Sequence, residues 1–532
     1  MKRFVKSERC KVLIMMLIPV VYCVVYCMIQ GKSIFDVYLP ASEWNDELFY
    51  YKQVESILSH GIPQGYFGFN ESHALKLSFA AWSPVLVAPW VLWGAVFGWG
   101  YLSPIFCNIA LMTIAMAVYS LLVKPTWKQI GCICVVFFSF TPFVRYMLSG
   151  MPEIICFSFL IIFYANAIRY LREECLKNLL WMFVLAGLLT LMRPYLFLFM
   201  LLPIFWSFKG WGYKAGALAC VYSGVILFVY GLIKHYLGAE YFAPLYFTDW
   251  IKVYFEQGLI EGILYTLKLL YWNGKSFFVM LTQGVREGLA AGSFFAGYIL
   301  VMLLLCVQIV LDGKDILREK RTEDENANRE KKRFLLLETH LLFSFVGMLA
   351  ALLLMYKLTE GSKHLLTFIA ASLFVISIME TRRFIKIIAV SVSFVYLYVI
   401  MALDPYDYQV PFVNDELVAQ TDMWKEVFET QIEVNVDDAP SYENTVIWVF
   451  NDSVSVSKDQ YVSKNLKWQV LYELPSGMGI SCCMPDYLMQ NFKELKSAFL
   501  VTVADGDLDR CCQEEGYIEL ARDDDIVFYR RY

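Results

Sequence analysis

The sequence predicts a polytopic α-helical membrane protein of about eleven spans, with an outer-face re-entrant or juxtamembrane helix and a small C-terminal extracytoplasmic α/β domain. Three observations carry that prediction. The 532 residues are 58% hydrophobic and 17% aromatic but only 18% charged, with a mean hydropathy of +0.51, outside the balance of a soluble globular protein. Apolar runs able to cross a bilayer core of about 30 Å recur as far as residue 403. Lys and Arg gather in particular connections between those runs, and from residue 404 the chain turns polar.

The first element is a basic start, MKRFVKSERCK, followed by the apolar run 12–29. No small-residue cleavage pattern follows it, so it reads as an uncleaved first span with the N-terminus inside. Further apolar runs cover 102–123, 127–148, 153–171, 213–237, 293–311, 334–358, 364–379 and 384–403. The basic connections are KPTWK, RYLREECLK, FKGWGYK, TRRFIK and the mixed-charge linker 314–333. Placing all of them in the cytoplasm fixes the parity of the spans, and the plasma (cytoplasmic) membrane is the expected location.

Two runs need special treatment under that parity. Residues 79–98, FAAWSPVLVAPWVLWGAVFG, contain Pro84 and Pro89 and four tryptophans lie at 82, 90, 93 and 99. Crossing would put Lys124 and Lys128 outside, so a broken interfacial or re-entrant helix is expected, closing an outer loop of about residues 30–101. Residues 178–208 have basic flanks on both sides and Pro194 in the middle, which predicts two short spans meeting near Arg193. The membrane part is then 1–403. The polar tail 404–532 carries NTVIWVF, SAFLVTV and DIVFYR as short strands, with helical stretches between them such as 485–496.

The charge balance, 45 basic against 50 acidic residues, gives no reason to expect nucleic acid, and the bilayer itself is the evident partner. Of the fourteen cysteines, those in apolar runs read as packed thiols. Cys482, Cys483, Cys511 and Cys512 lie in the tail, where an oxidising compartment would let them pair, and their spacing does not suit zinc. No internal repeat is visible, which weighs against an inverted-repeat transporter.

Parity brings several polar groups to the outer face. SEWNDELFYY, in the first outer loop, holds the acidic pair Asp46 and Glu47. A capped helix start with acids in its first turn would explain the pair equally well. RYMLSGMPEI places Arg145 and Glu153 at an outer mouth, although a glutamate after a proline is also an ordinary helix opening. Arg193, in LMRPY, interrupts an apolar run, and an intramembrane Arg is a functional candidate by default. YKLTEGSKHLL brings Lys363 and His364 to an outer loop against the positive-inside trend. GYFGFNESHA sets Asn70, Glu71 and His73 among aromatic residues, a composition shared by sugar sites and membrane-interface loops.

This order of features resembles the GT-C superfamily of membrane glycosyltransferases, in the style of the protein O-mannosyltransferases and aminoarabinose transferases. The resemblance covers about residues 1–403 and rests on position in the topology more than on letters. It implies that Asp46, with Glu47, supplies the catalytic carboxylate and that Glu153 is the second outer acid, assisting an acceptor or a metal. Arg145, Arg193, Lys363 and His364 would hold the phosphate of a polyprenyl-phosphate sugar donor, and Asn70, Glu71 and His73 would meet a sugar. Two positions depart from the pattern: the second acid is a glutamate in Met-Pro-Glu, and the later basic motif is Lys-His. No cofactor is certain, and a divalent cation stays open because metal dependence varies in that family.

The implied reaction is an inverting transfer to an extracytoplasmic glycan, lipid or protein, with Asp46 as general base. A flippase or transporter of lipid-linked sugars and a polysaccharide polymerase are the competing expectations.

Overall fold

The computed structural model describes residues 8–39, 46–61, 67–69, 71, 82–238, 247–287, 290–319, 325–355, 358–378, 383–402, 410, 412–413, 415–432, 441–449, 466–475, 477–483, 485–524 and 526–532. It opens with α1 (Glu8–Ile29), apolar enough to lie in lipid. α2 (Asp46–His60) follows in the first loop and buries most of its first two turns. Further along that loop lie a short strand, β1 (Phe67–Phe69), and a 3-10 turn, Pro84–Leu86, whose cap Ser83 accepts from the Val85 N–H.

α3 (Ala88–Phe97) has ten residues, about 15 Å of helix, or half the bilayer core. It is too short to cross. Pro84 and Pro89 each open a turn, where a missing N–H is harmless. Its Trp90 is buried, stands edge-on to Tyr50 of α2 at 6.5 Å, and donates from Nε1 to Asn108 Oδ1 at 3.0 Å.

The helices that follow are α4 (Ser103–Val123), α5 (Trp127–Ser139), α6 (Pro142–Met147), α7 (Glu153–Glu173), α8 (Leu176–Met192), α9 (Leu201–Leu237), α10 (Asp249–Glu256), α11 (Leu259–Glu287), α12 (Ala290–Glu319), α13 (Glu325–Leu354), α14 (Leu358–Ile378) and α15 (Arg383–Ala402). Six helical stretches among the described residues are long and apolar enough to cross a membrane, and five apolar helices are shorter.

Three features differ from the sequence reading. The run 127–148 is not one helix: it breaks at Phe140, and Pro142 restarts it as α6. The run 213–237 is the second leg of α9, bent at Gly212, whose φ of 84° is open to glycine and strained for other residues. α11, 29 residues long, was not anticipated, because Glu261, Lys268 and Lys275 interrupt its apolar positions. It presents Leu264, Tyr271, Trp272 and Phe278 outward while burying Phe277 against Phe295 of α12.

Two of the basic ends lie together. Arg169 and Arg172, near the end of α7, donate to the carbonyls of Leu122 and Val123 at the end of α4. At the opposite end of α4, Asn108 donates to the carbonyls of Tyr146 and Ser149. The sheet domain meets the chain at this second end, where Val413 N–H donates to Asp36 O at 2.7 Å and Val410 N–H to Tyr26 Oη at 3.2 Å.

That domain comprises α16 (Asp415–Gln431), β2 (Thr445–Val449), β3 (Gly479–Cys483), α17 (Pro485–Asn491), β4 (Phe499–Val503), α18 (Asp507–Glu514), β5 (Ile518–Arg522) and β6 (Ile526–Arg530). The sheet order is β1-β3-β2-β4-β6-β5, parallel as far as β4 and antiparallel beyond it. Trp424 and Phe428 of α16 pack on Phe528 of one face, while Leu488, Leu508 and Cys512 join Leu500 and Val527 on the other. The sheet is not confined to the tail after residue 404. β1 comes from the first loop and pairs with β3 in the register Phe67↔Ile480 to Phe69↔Cys482. Cys483 and Cys512 are buried and Cys511 is half-buried.

Candidate active site

Asp46 is the first residue of α2 and is partly exposed, whereas Glu47 is 1% exposed. Acids suit a helix start, where N–H groups lack intrahelical partners. Glu47 does more than satisfy its own helix. Its Oε2 accepts from the Gly150 N–H at 2.7 Å, tying α2 to the turn between α6 and α7. A side chain at Gly150 would bring Cβ within 3.1 Å of that oxygen and 3.2 Å of Glu47 Cβ, so the approach depends on glycine.

Three residues after Gly150, Glu153 opens α7. Arg193 ends α8 with extended backbone, φ −145° and ψ 113°, the conformation that a following proline favours. Arg193 Nη2 donates to Glu153 Oε1 at 2.8 Å, with side chains 1% and 5% exposed. Arg193 Nη1 donates to Tyr195 Oη at 3.2 Å, and Tyr195 Oη lies 3.2 Å from Nδ1 of the buried His364. Trp82 covers the group: Arg193 Cζ stands 5.3 Å from its ring centroid, and the His364 ring stands edge-on at 5.3 Å. Tyr50, one turn after Asp46 and Glu47, reaches close enough to interact with the Arg193 charge. The acidic start of α2 and the Arg193 group therefore share one neighbourhood at the end of the bundle opposite the basic connections.

Among the described residues, Arg193 Nε and Glu153 Oε2 are buried without a hydrogen-bond partner. A buried donor left unmatched costs about 1–3 kcal/mol, more when charged. The group thus keeps capacity for an anionic or hydroxylated ligand.

The remaining candidates divide. Arg145 is buried on α6, and its charge acts on Tyr26 of α1. Lys363 precedes His364 in α14, with its side chain outside the described residues. Asn70 and His73 also lie outside them. Glu71 is engaged in the sheet domain: its carboxylate accepts from the N–H groups of Lys496 and Ser497 at 2.7–3.2 Å, and its own N–H donates to Ser481 Oγ at 2.8 Å. In that seat backbone donors hold both of its oxygens.

Sequence reasoning missed Gly150, Tyr195 and Trp82. Tyr195 was readable in principle, since the extended residue before Pro194 projects Arg193 and Tyr195 from one turn. Trp82 read as one of several interfacial tryptophans.

A divalent cation fits poorly. Glu153 offers one oxygen beside a guanidinium that would repel the ion, and no group of three or more His, Cys, Asp or Glu among the described residues could hold a metal.

No protein-family model matches the chain, and no curated protein does. Among solved structures it is similar to ArnT from Cupriavidus metallidurans in two crystal structures. With the form bound to undecaprenyl phosphate the identity is 11% and the TM-score 0.43, covering 97% of each chain. With the apo form the identity is 10% and the TM-score 0.41, again covering 97% of each. At such identities the likeness assigns no residue a role.

Proposed function

We propose that this chain is a membrane glycosyltransferase of the GT-C type that moves a sugar from a polyprenyl-phosphate donor to a hydroxyl outside the cytoplasm. The observation that carries the reading is the meeting of a helix-opening acidic pair with a buried arginine held in a fixed pose at the same end of the bundle. A lipid-anchored donor needs a cation at the bilayer edge for its phosphate and a base beside its sugar.

In this reading Asp46, the more exposed acid, takes the proton of the acceptor hydroxyl as the oxygen attacks C1 of the sugar. The C1–O bond to the phosphate breaks, its electrons stay on the phosphate oxygen, and polyprenyl phosphate leaves from the opposite face with inversion. Arg193 stabilises the charge that develops there through Nε and its remaining N–H groups. Glu153 and Tyr195 hold the guanidinium plane, so little reorganisation accompanies the reaction. Glu47 fixes the start of α2, and with it Asp46, against Gly150. His364 steadies Tyr195, and Arg145 adds positive charge at the same end.

The test is native mass spectrometry of the full chain with undecaprenyl phosphate. Binding that weakens at least about tenfold in Arg193→Gln, the scale of one charge-assisted contact, supports the reading. Equal binding by wild type and variant contradicts it.

A further inference from the structure

α2 carries a second set of contacts, with the sheet domain. Lys52, fully buried, bonds Glu55 at 2.8 Å and reaches the carbonyl of Leu474 at 3.4 Å. Leu474 follows a 3-10 segment of the sheet domain, Leu466–Glu473, which also carries Tyr472. The Tyr472 ring lies 4.9 Å from Tyr51 and 5.3 Å from Tyr101, and Tyr51 lies 5.2 Å from Trp99. The sheet domain therefore inserts a tyrosine into an aromatic cluster built from the first loop.

Two polar atoms in this cluster are unmatched. Tyr472 Oη and Trp99 Nε1 are buried and, among the described residues, have no hydrogen-bond partner. A buried phenol or indole normally finds an acceptor. Burial pushes the Tyr472 hydroxyl well above its ordinary pKa, and the neighbouring Glu47 charge adds to the effect, so the hydroxyl stays a donor and stands near the acidic start of α2. Aromatic rings, two N–H or O–H donors and a nearby carboxylate form a set complementary to a carbohydrate, with apolar C–H faces, oxygen acceptors and hydroxyl donors.

We infer that Tyr472 and Trp99 form a carbohydrate subsite through which the sheet domain takes part in sugar binding beside Glu47. The inference rests on the transferase reading above. The sugar is either that of the donor or that of the acceptor, and the experiment separates them.

The full chain in nanodiscs, wild type and the variants Tyr472→Phe and Trp99→Phe, is probed three ways. Saturation-transfer NMR reads free mannose, glucose and N-acetylglucosamine. Native mass spectrometry reads undecaprenyl phosphate and undecaprenyl-phosphate mannose. Each variant should weaken sugar binding about fivefold, the equivalent of one neutral hydrogen bond, with undecaprenyl phosphate binding unchanged. A loss confined to free sugars assigns the subsite to the acceptor; a loss confined to undecaprenyl-phosphate mannose assigns it to the donor. No sugar binding by wild type, equal sugar binding by all three proteins, or parallel loss of undecaprenyl phosphate overturns the inference. Wild type that binds free sugars but not undecaprenyl phosphate defeats the transferase reading and leaves the subsite standing.

Discussion

Arg193 Nη2 donates to Glu153 Oε1 at 2.8 Å, and both side chains are almost wholly buried. A pair in that setting is held by mutual need: removing one member leaves the other as an isolated buried charge, at a cost of about 3–5 kcal/mol. Glu153→Leu and Arg193→Met should each lower the melting temperature of the purified protein, and the double variant should be more stable than either single one. Additive losses in that cycle would show that the two charges are not coupled.

Glu47 and Gly150 make the second joint of the site. Glu47→Gln keeps the shape but removes the charge from an accepted N–H, a change of about 1–2 kcal/mol. Gly150→Ala forces Cβ against the carboxylate. Both variants should keep undecaprenyl phosphate binding and lose about tenfold or more in transfer, since about 1.4 kcal/mol is tenfold in rate. Loss of lipid-phosphate binding in both would place Glu47 in the phosphate site and contradict its assigned role.

The sheet domain holds the first loop through Glu71. Its carboxylate gathers the N–H groups of Lys496 and Ser497, and its backbone takes a left-handed conformation, φ 57°, that alone costs about 1 kcal/mol or more. Glu71→Ala should loosen β1 from β3. Hydrogen exchange read by mass spectrometry should quicken in peptides spanning 67–71 and 496–503 and stay unchanged in α7. Unchanged exchange in those peptides would show that strand pairing alone holds the loop.

Asp509 gives the sheet domain a pH dependence with a definite sign. Burial alone would raise its pKa, but hydrogen bonds from Arg522, Tyr529 and the Asp505 N–H outweigh that and hold it below the ordinary carboxylate value. A depressed folded pKa contributes stability that is complete above the unfolded value of about 3.9 and is lost as pH falls through the folded one. Asp509→Asn should therefore melt below wild type at pH 7, and the gap should close as pH falls below about 4. A gap independent of pH would show that the carboxylate's charge contributes nothing.

What the sequence disclosed was mostly what one-dimensional patterns encode. Pro84 and Pro89 announced a broken helix, and Pro194 between basic flanks announced the turn that carries Arg193. The basic connections separated one end of the bundle from the other, and Asp46 and Glu47 stood where a helix begins. Long-range choices were not legible. Nothing local says that Phe67-Gly68-Phe69 will pair with Ile480-Ser481-Cys482, because three residues carry no usable alternation and the partner lies some four hundred positions away. Glu153 and Arg193 were each conspicuous, yet only packing shows that they answer each other. α11 was missed because charges at helical spacing break an apolar run without breaking a helix.

The central claim is chemical transfer with Asp46 as the base, and it is tested most directly by one comparison. Wild-type protein and Asp46→Asn, matched for expression and melting temperature, are given a radiolabelled polyprenyl-phosphate sugar and membranes as acceptor. Loss of transfer by about a hundredfold or more in the variant, the scale of a general base, with donor binding retained, is the predicted result. Undiminished transfer by Asp46→Asn would contradict the account.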